Sequence, residues 1–318
     1  MELFDRYWTL AVRKYGAFRD LIKLSPDDFG NSLRITFEIN CATDLRFYTG
    51  TINVYNLSPD NFKGLTFNAL NDELGTGPSI RLEAGYREKT GIIFDGAIHR
   101  GYPVREPLTG TWIMALQCGL PLKTDKSVKI DPQKVTNATL YSFLNSVVNK
   151  LTTQPDRWPV KKAPGYDAAF LAAVTEYTSS HTVNKSIGYN GPMSMILAQI
   201  TEEFNLHFVY GHSGLIVVSG KYGTSDDPVR VPDGLLTPEI SFSKKSGLIG
   251  SPTYTDTGAK FLVYLRPELR MFQWVRVISS VLDRNVAVNG LIHRGDSRGD
   301  DWFSEIDGVN KNLFLKAS

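Results

Sequence analysis

The stretch "GLIHRGDSRGDDWFSEIDGV" (Gly290–Val309) packs one histidine, two arginines, several carboxylates and a tryptophan into twenty residues. It reads as an active site until the other half of the chain is set beside it. Upstream, "GAIHRGYPVREPLTGTW" (Gly96–Trp112) carries the same Gly-x-Ile-His-Arg-Gly, again followed by a polar turn and a Trp. Each copy follows a strong strand pattern, "SIRLEAGY" (79–86) and "WVRVISS" (274–280). We read a duplicated β-domain with His99 and His293 in equivalent places. A catalytic histidine has no reason to recur in two domains, so both are expected to pack and hydrogen-bond.

Working outward, "LRITFEI" (33–39) puts Leu33, Ile35, Phe37 and Ile39 on one face and Arg34, Thr36 and Glu38 on the other. That period of two marks a half-buried strand. "TINVYNL" (51–57) repeats it, and "SPDNFKGLTFNAL" (58–70) opens with a Ser-Pro-Asp helix start. "SIRLEAGYR" and "GIIFDGAIHRGYPV" follow as strands joined by a charged hairpin around Lys89, Thr90 and Gly91, and "GTWIMALQCG" (110–119) alternates again. At least six strands and one short helix between about 20 and 125 call for a closed or strongly curled antiparallel sheet, which removes exposed edges.

After Gly119 the texture changes. "PLKTDKSVKIDPQ" is polar, and "TNATLYSFLNSVVNKL" spaces Leu140, Phe143, Leu144, Val147, Val148 and Leu151 as a helix face capped by Thr136 or Asn137. "TTQPDRWPVKKAPGYDAAFL" is a Pro-rich connection. Residues 182–220 read as strand, helix and hairpin, with Pro192 in the first helical turn and Asn205 near its end. From near Leu236 the pattern gives three or four strands, then two more joined by the charged loop of the opening stretch. The fold class expected is therefore mainly β with an α+β insert: an N-terminal β-barrel domain (1–125), a helix-containing middle region (126–225) and a C-terminal β-barrel domain (226–318).

The 318 residues are 42% hydrophobic and 21% charged, with a net charge of +2. Charge alone implies no nucleic-acid partner. The N-terminal "MELFDRYWTLAVRKYGAF" is charged throughout and unlike a signal peptide, and no apolar run reaches membrane-spanning length, so no membrane partner is expected. Cys41 and Cys118 sit in apolar runs and read as buried, reduced thiols. His207 and His212 flank a hairpin without a third ligand at metal spacing. "GDSRGDDW" lacks the far-end Glu and flanking helices of a calcium loop, so a solvated turn is expected in which Arg294 and Arg298 pair with Asp296, Asp300 and Asp301. Phosphate-binding, dinucleotide, nucleophile-elbow and zinc-protease motifs do not occur. We assign no catalytic, cofactor-binding or metal residue, and no cofactor.

The run "KKSGLIGSPTYTDTGAKFLVYLRPELRMFQWVRVISS" (244–280) resembles a pattern of the baseplate hub proteins of contractile-tailed bacteriophages, in which Gly-Leu-Ile-Gly-x-Pro precedes a strand, a Leu-x-Pro and a further strand. "HRGDSRGDDWFSEIDGV" resembles that family's His-x-Gly-Asp-x-x-Gly-x-x-Trp ending. "GPMSMILAQITEEFNLHFVYGHSGLIVVSG" is similar to its middle unit, and "LRITFEI…TINVYNLSPD…RLEAGY…IFDGAIHRG" to its first barrel. Where the family pattern has Leu-Asn-Pro this chain reads "YLRPELR", placing Arg266 in that turn. The resemblance spans most of 30–310. It implies a non-enzymatic virion structural protein of the tail baseplate, assembled in the host cytoplasm, with two tail-tube-like barrels per chain. It implies a homotrimer acting as symmetry adaptor between a hexameric tail tube and a trimeric central spike. Other baseplate proteins would be neighbours, and phage DNA would pass the lumen without specific binding. The loops after the two repeated motifs are the expected subunit contacts. Two alternatives stand beside it: a β-rich cell-wall carbohydrate-active enzyme, with Trp158, Tyr189 and Trp302 stacking on sugars, and another tail protein such as a tube or distal tail protein.

Overall fold

A computed structural model describes residues 5–14, 22–27, 33–41, 48–68, 77–107, 109–120, 128–153, 162, 166–211, 214–219, 229–231, 240–310 and 314–316; in 211–231 and 314–316 it describes backbone alone. The first β unit holds β1 (Arg6–Arg13), β2 (Ile22–Leu24), β3 (Arg34–Cys41), β4 (Thr49–Tyr55), α1 (Pro59–Leu65), β5 (Phe67–Asn68), β6 (Ser79–Tyr86), β7 (Lys89–Arg105) and β8 (Trp112–Gly119). The middle holds β9 (Val128–Thr136), α2 (Asn137–Thr152), α3 (Tyr166–Ser180), β10 (Asn184–Gly191), α4 (Met193–Phe204), β11 (Leu206–Gly211), β12 (Gly214–Ser219) and β13 (Val229–Val231). The last part holds β14 (Ile240–Phe242), β15 (Leu248–Tyr254), β16 (Gly258–Tyr264), β17 (Trp274–Ile278), β18 (Asp283–Asp296), β19 (Trp302–Asn310) and β20 (Phe314–Lys316).

Most local patterns become the elements they suggest. In β3 the apolar set Ile35, Phe37, Ile39 is buried and the polar set faces out. Ser58 caps α1 through its side chain, with Pro59 as the first helical residue. The six apolar residues of α2 are buried and Thr136 forms a capping box with Thr139. Asn205 ends α4 in the left-handed conformation at φ 55°. The charged hairpin turns earlier than expected, at Arg87–Glu88, with Lys89 and Thr90 already in β7. Pro192 caps α4 rather than lying in its first turn. Strand β1, helix α3 and strand β9 are additions to the sequence reading: Trp8, Leu10 and Val12 of β1 are buried beneath its charges.

The β units do not close into separate barrels. Among the described residues a single sheet of fourteen strands runs in the order β15-β16-β19-β18-β3-β4-β8-β7-β6-β1-β2, with β15 and β2 at its ends, β17 and β14 beside β18 and β5 beside β7. Within it one motif of five strands occurs twice. The hairpin β3-β4 is joined to the meander β6-β7-β8 through β4·β8, as the hairpin β15-β16 is joined to β17-β18-β19 through β16·β19. The flanking strands differ: β1 pairs β6 antiparallel, whereas β14 pairs β17 parallel.

Register fixes which residues correspond. β7 bulges at His99 against β8, and β18 bulges at Asn289 against β19. On either side of these bulges, Ala97 matches Ala287, and Trp112, paired with Arg105, matches Trp302, paired with Gly295. Equivalent hydrogen bonds agree: Ile98 N–H to Pro78 O and Val288 N–H to Gln273 O, then Glu106 N–H to Thr111 O and Asp296 N–H to Asp301 O. His99 thus corresponds to Asn289, and the repeated letters lie four positions out of step with the strands. The duplication lies in the topology; the pairing of His99 with His293 is a coincidence of composition. His99 is half-buried and its Nε2 meets Leu120 O at 2.8 Å, whereas His293 is fully buried with Nδ1 2.8 Å from Ser304 Oγ.

This alignment predicts matched losses where positions correspond and unmatched losses where only letters do. Ala97→Leu and Ala287→Leu each force a larger side chain into a filled site and should each cost about 1–3 kcal/mol in urea unfolding. His293→Ala should cost more than His99→Ala; equal losses at the two histidines with unequal losses at the two alanines would contradict the register.

Candidate functional site

The chemistry-rich loop forms the seam between the two β units. Strand β18 is longer than its neighbour β17. Residues Asp283–Ala287 pair with β17, and along the same edge Leu291–Asp296 pair with β3, from Leu291 opposite Cys41 to Asp296 opposite Thr36. Backbone groups left over by one unit are thereby satisfied by the other.

The loop 296–301 lies on the start of β3. Ser297 N–H donates to Ile35 O at 2.9 Å and Ile35 N–H donates to Ser297 Oγ at 3.0 Å. Arg34 grips Asp296 with two bonds, Nε to Oδ1 at 3.0 Å and Nη2 to Oδ2 at 2.6 Å. The carbonyls of Asp296, Gly299 and Asp300 converge on the guanidinium of Arg6, Nη1 donating to the first at 2.8 Å and also to the second, Nη2 to the third at 3.3 Å. An arginine thus occupies the cup that the loop's carbonyls form. The expected solvated turn is therefore a docked one. Arg294 pairs instead with Glu38 and Glu305 on neighbouring strands, and the Arg298 contact to Asp296 is made by its backbone N–H.

Behind the loop, Trp302 is only 3% exposed. Its ring stands edge-on to Phe37 at 5.4 Å, under the guanidinium of Arg6, and its Nε1 donates to Gly85 O at 3.0 Å. Gly295 is required here, since a Cβ at that position would stand 2.2 Å from Cζ of Phe37. A second fastener lies at the β6–β7 turn: Lys89 donates to Glu268 Oε1 at 2.8 Å, beside Arg266 at 3.2 Å. Arg266, the residue that departs from the family pattern, also donates to Ser246 O at 2.8 Å.

Electrostatics match a structural role. For Asp296, burial alone would raise the pKa, but the hydrogen bonds from Arg34 and from backbone N–H groups of Arg298 and Gly299 outweigh it and hold the carboxyl below its usual value. Glu268 behaves alike: burial opposes ionisation, and Lys89, its own backbone and Arg266 overcome it. Burial pushes the Cys41 thiol up to about 12 and raises Cys118 too, so both buried thiols are poor nucleophiles. His207 lies in β11, while His212 and Trp158 lie outside the described residues. Among the described residues, no three His, Cys, Asp or Glu side chains gather as metal ligands. Two of the three aromatics considered for sugar stacking, Tyr189 and Trp302, are buried. No helix among the described residues is long and apolar enough to cross a membrane.

No family model and no curated protein matches this chain. Among solved structures, it is similar to the tail protein from Neisseria meningitidis MC58, at 12% identity over 97% of this chain and 99% of that one, with a TM-score of 0.48. It is similar to the 43 kDa tail protein of prophage MuSo2 from Shewanella oneidensis, at 10% identity over 98% and 99%, TM-score 0.47. The E. coli c3393 protein, a component of the type VI secretion system, is similar at 6% identity over 87% and 73%, TM-score 0.45.

The lowered pKa of Asp296 makes the seam acid-sensitive. A carboxylate whose folded pKa is depressed contributes stability above its unfolded value, near 3.9, and loses that contribution as pH falls through the folded value. Asp296→Asn should therefore be less stable than the native chain at pH 7, with the gap closing below about pH 4 in parallel urea titrations. A gap independent of pH would show that the carboxylate's charge plays no part.

Proposed function

We propose that the chain is a non-enzymatic structural subunit of a phage-type tail baseplate: a trimeric hub that adapts a sixfold tube to a threefold spike. The observation that carries this reading is the five-strand motif that occurs twice, fused by β3·β18 into one sheet. A chain with two equivalent units gives six such units when three copies surround an axis. One rim can then meet a hexameric tube while the rest of the assembly keeps threefold symmetry. The resemblance of 244–280 and of the closing loop to baseplate hub proteins supports the same reading.

The fused sheet also supplies a suitable channel wall. One face is apolar and buried, and the other carries Thr36, Glu38, Thr51, Gln117, Lys260, Arg294, Glu305 and Asp307. On this face Arg294 is shared by Glu38 and Glu305, and Lys260 lies 3.9 Å from Asp307. The three carboxylates of this set outnumber its two cations, so it forms no basic track on which DNA would stall. In this reading that face lines the lumen, tube and spike proteins bind the two rims, and DNA passes without specific contact.

Light scattering on the purified chain tests the proposal. The expected mass is three times the 35.5 kDa chain, reached by the chain alone or on adding its spike partner. A hexamer would instead indicate a tube-type subunit, and hydrolysis of peptidoglycan by the pure chain would favour the enzyme.

A further inference from the structure

The seam inside one chain shows what a seam between chains would require. Strand β7 corresponds to β18, and it too outruns its neighbour: β6 pairs with Lys89–Ala97, and β5 adds only Arg100 and Gly101. Aligned on the bulges, Pro103, Arg105 and Trp112 match His293, Gly295 and Trp302. The second set is buried because β3 and its neighbours cover it. The first set shares the phase of buried Met114 and Leu116, yet Pro103, Arg105 and Trp112 are all exposed, Trp112 by 52%. A tryptophan on the core-facing side of a sheet that is nonetheless half exposed is an anchor awaiting a pocket.

The matching loops tell the same story. Loop 296–301 is held by Arg6, Arg34 and Ile35. The segment 106–111 has the same length and the same closing backbone bond, but among the described residues, which leave out Leu108, its hydrogen bonds are internal or to the adjacent Arg105: Thr109 to Glu106 and Thr111, and Arg105 Nε to Gly110 O. What covers the second set is β3, the outer strand of the first unit. Its counterpart in the second unit is β15, which ends the sheet and, among the described residues, pairs only with β16.

We infer that Trp112, Pro103 and Arg105 of one chain, with the neighbouring Glu106 and Thr109, dock on the outer edge of β15, Leu248–Tyr254, of a second copy. This rests on the hub reading and names the interface that would close its ring. The contact is heterologous: one face of each chain meets the other face of the next, so it forms a ring when the rotation closes. Side chains lead it. Pro103 withdraws a donor from the β7 edge, and β15 kinks where Gly250, at φ 66°, precedes Pro252. Both devices discourage indiscriminate strand pairing, so that Trp112 rather than a long ladder carries the affinity.

Two variants test this, each carrying added cations so that they cannot attract one another. Trp112→Lys removes the anchor; Ser251→Arg with Thr253→Arg blocks the β15 edge, where both residues are exposed. Each should weaken trimer formation on the order of 30-fold or more by sedimentation, with the circular dichroism spectrum of the folded chain unchanged. Mixed in equal amounts, they should form a heterodimer, because one intact anchor meets one intact edge. A wild-type trimer that persists with native affinity in Trp112→Lys overturns this interface and leaves the hub reading standing. A wild type that stays monomeric with its partners present overturns both.

Discussion

The architecture depends on how one edge of β18 is shared. Backbone N–H and C=O groups left unpaired at a strand edge are costly when buried and hazardous when exposed. β17 satisfies the first third of that edge and β3 takes the end of it. The two β units are thus parts of one sheet rather than barrels on a linker. His293, Gly295 and Trp302 owe their burial to that sharing, and Phe37 reaches Trp302 only because Gly295 has no side chain.

The polar residues that looked like catalytic machinery act as fasteners. A partly exposed ion pair such as Arg34 with Asp296 contributes little alone. Here several bonds converge: two from Arg34, three from Arg6, and the exchange between Ile35 and Ser297. Together they fix one loop in one orientation. Lys89, Glu268 and Arg266 add a second set of ion pairs at the β6–β7 turn.

Local order was legible in the sequence because it follows from local spacing: the alternation of β3, β4 and β8, the apolar face of α2, the left-handed stop at Asn205. Strand β1 alternates equally well in "RYWTLAVR", but its flanking charges hid the pattern. Strand β9 was masked by the charges and Pro132 in "VKIDPQKVT", and Pro132 sits where β9 and β10 change register. The repeat was half legible. Trp112 and Trp302 marked it correctly, whereas the Ile-His-Arg letters did not, because bulges at His99 and Asn289 shift the strands and no single sequence announces a bulge. The partners of Asp296 were not legible at all: Arg34 and Arg6 lie more than 250 positions away in the chain, and only the fold brings them together.

In the proposed reading, two equivalent units per chain would let three chains present sixfold edges on a threefold frame. An averaged end-on image of the assembly tests that claim most directly. Six lobes of nearly equal size around an open axis, alternating slightly with a threefold period, are what the account predicts. Three isolated lobes, or a ring whose subunits show no internal pairing, would contradict it.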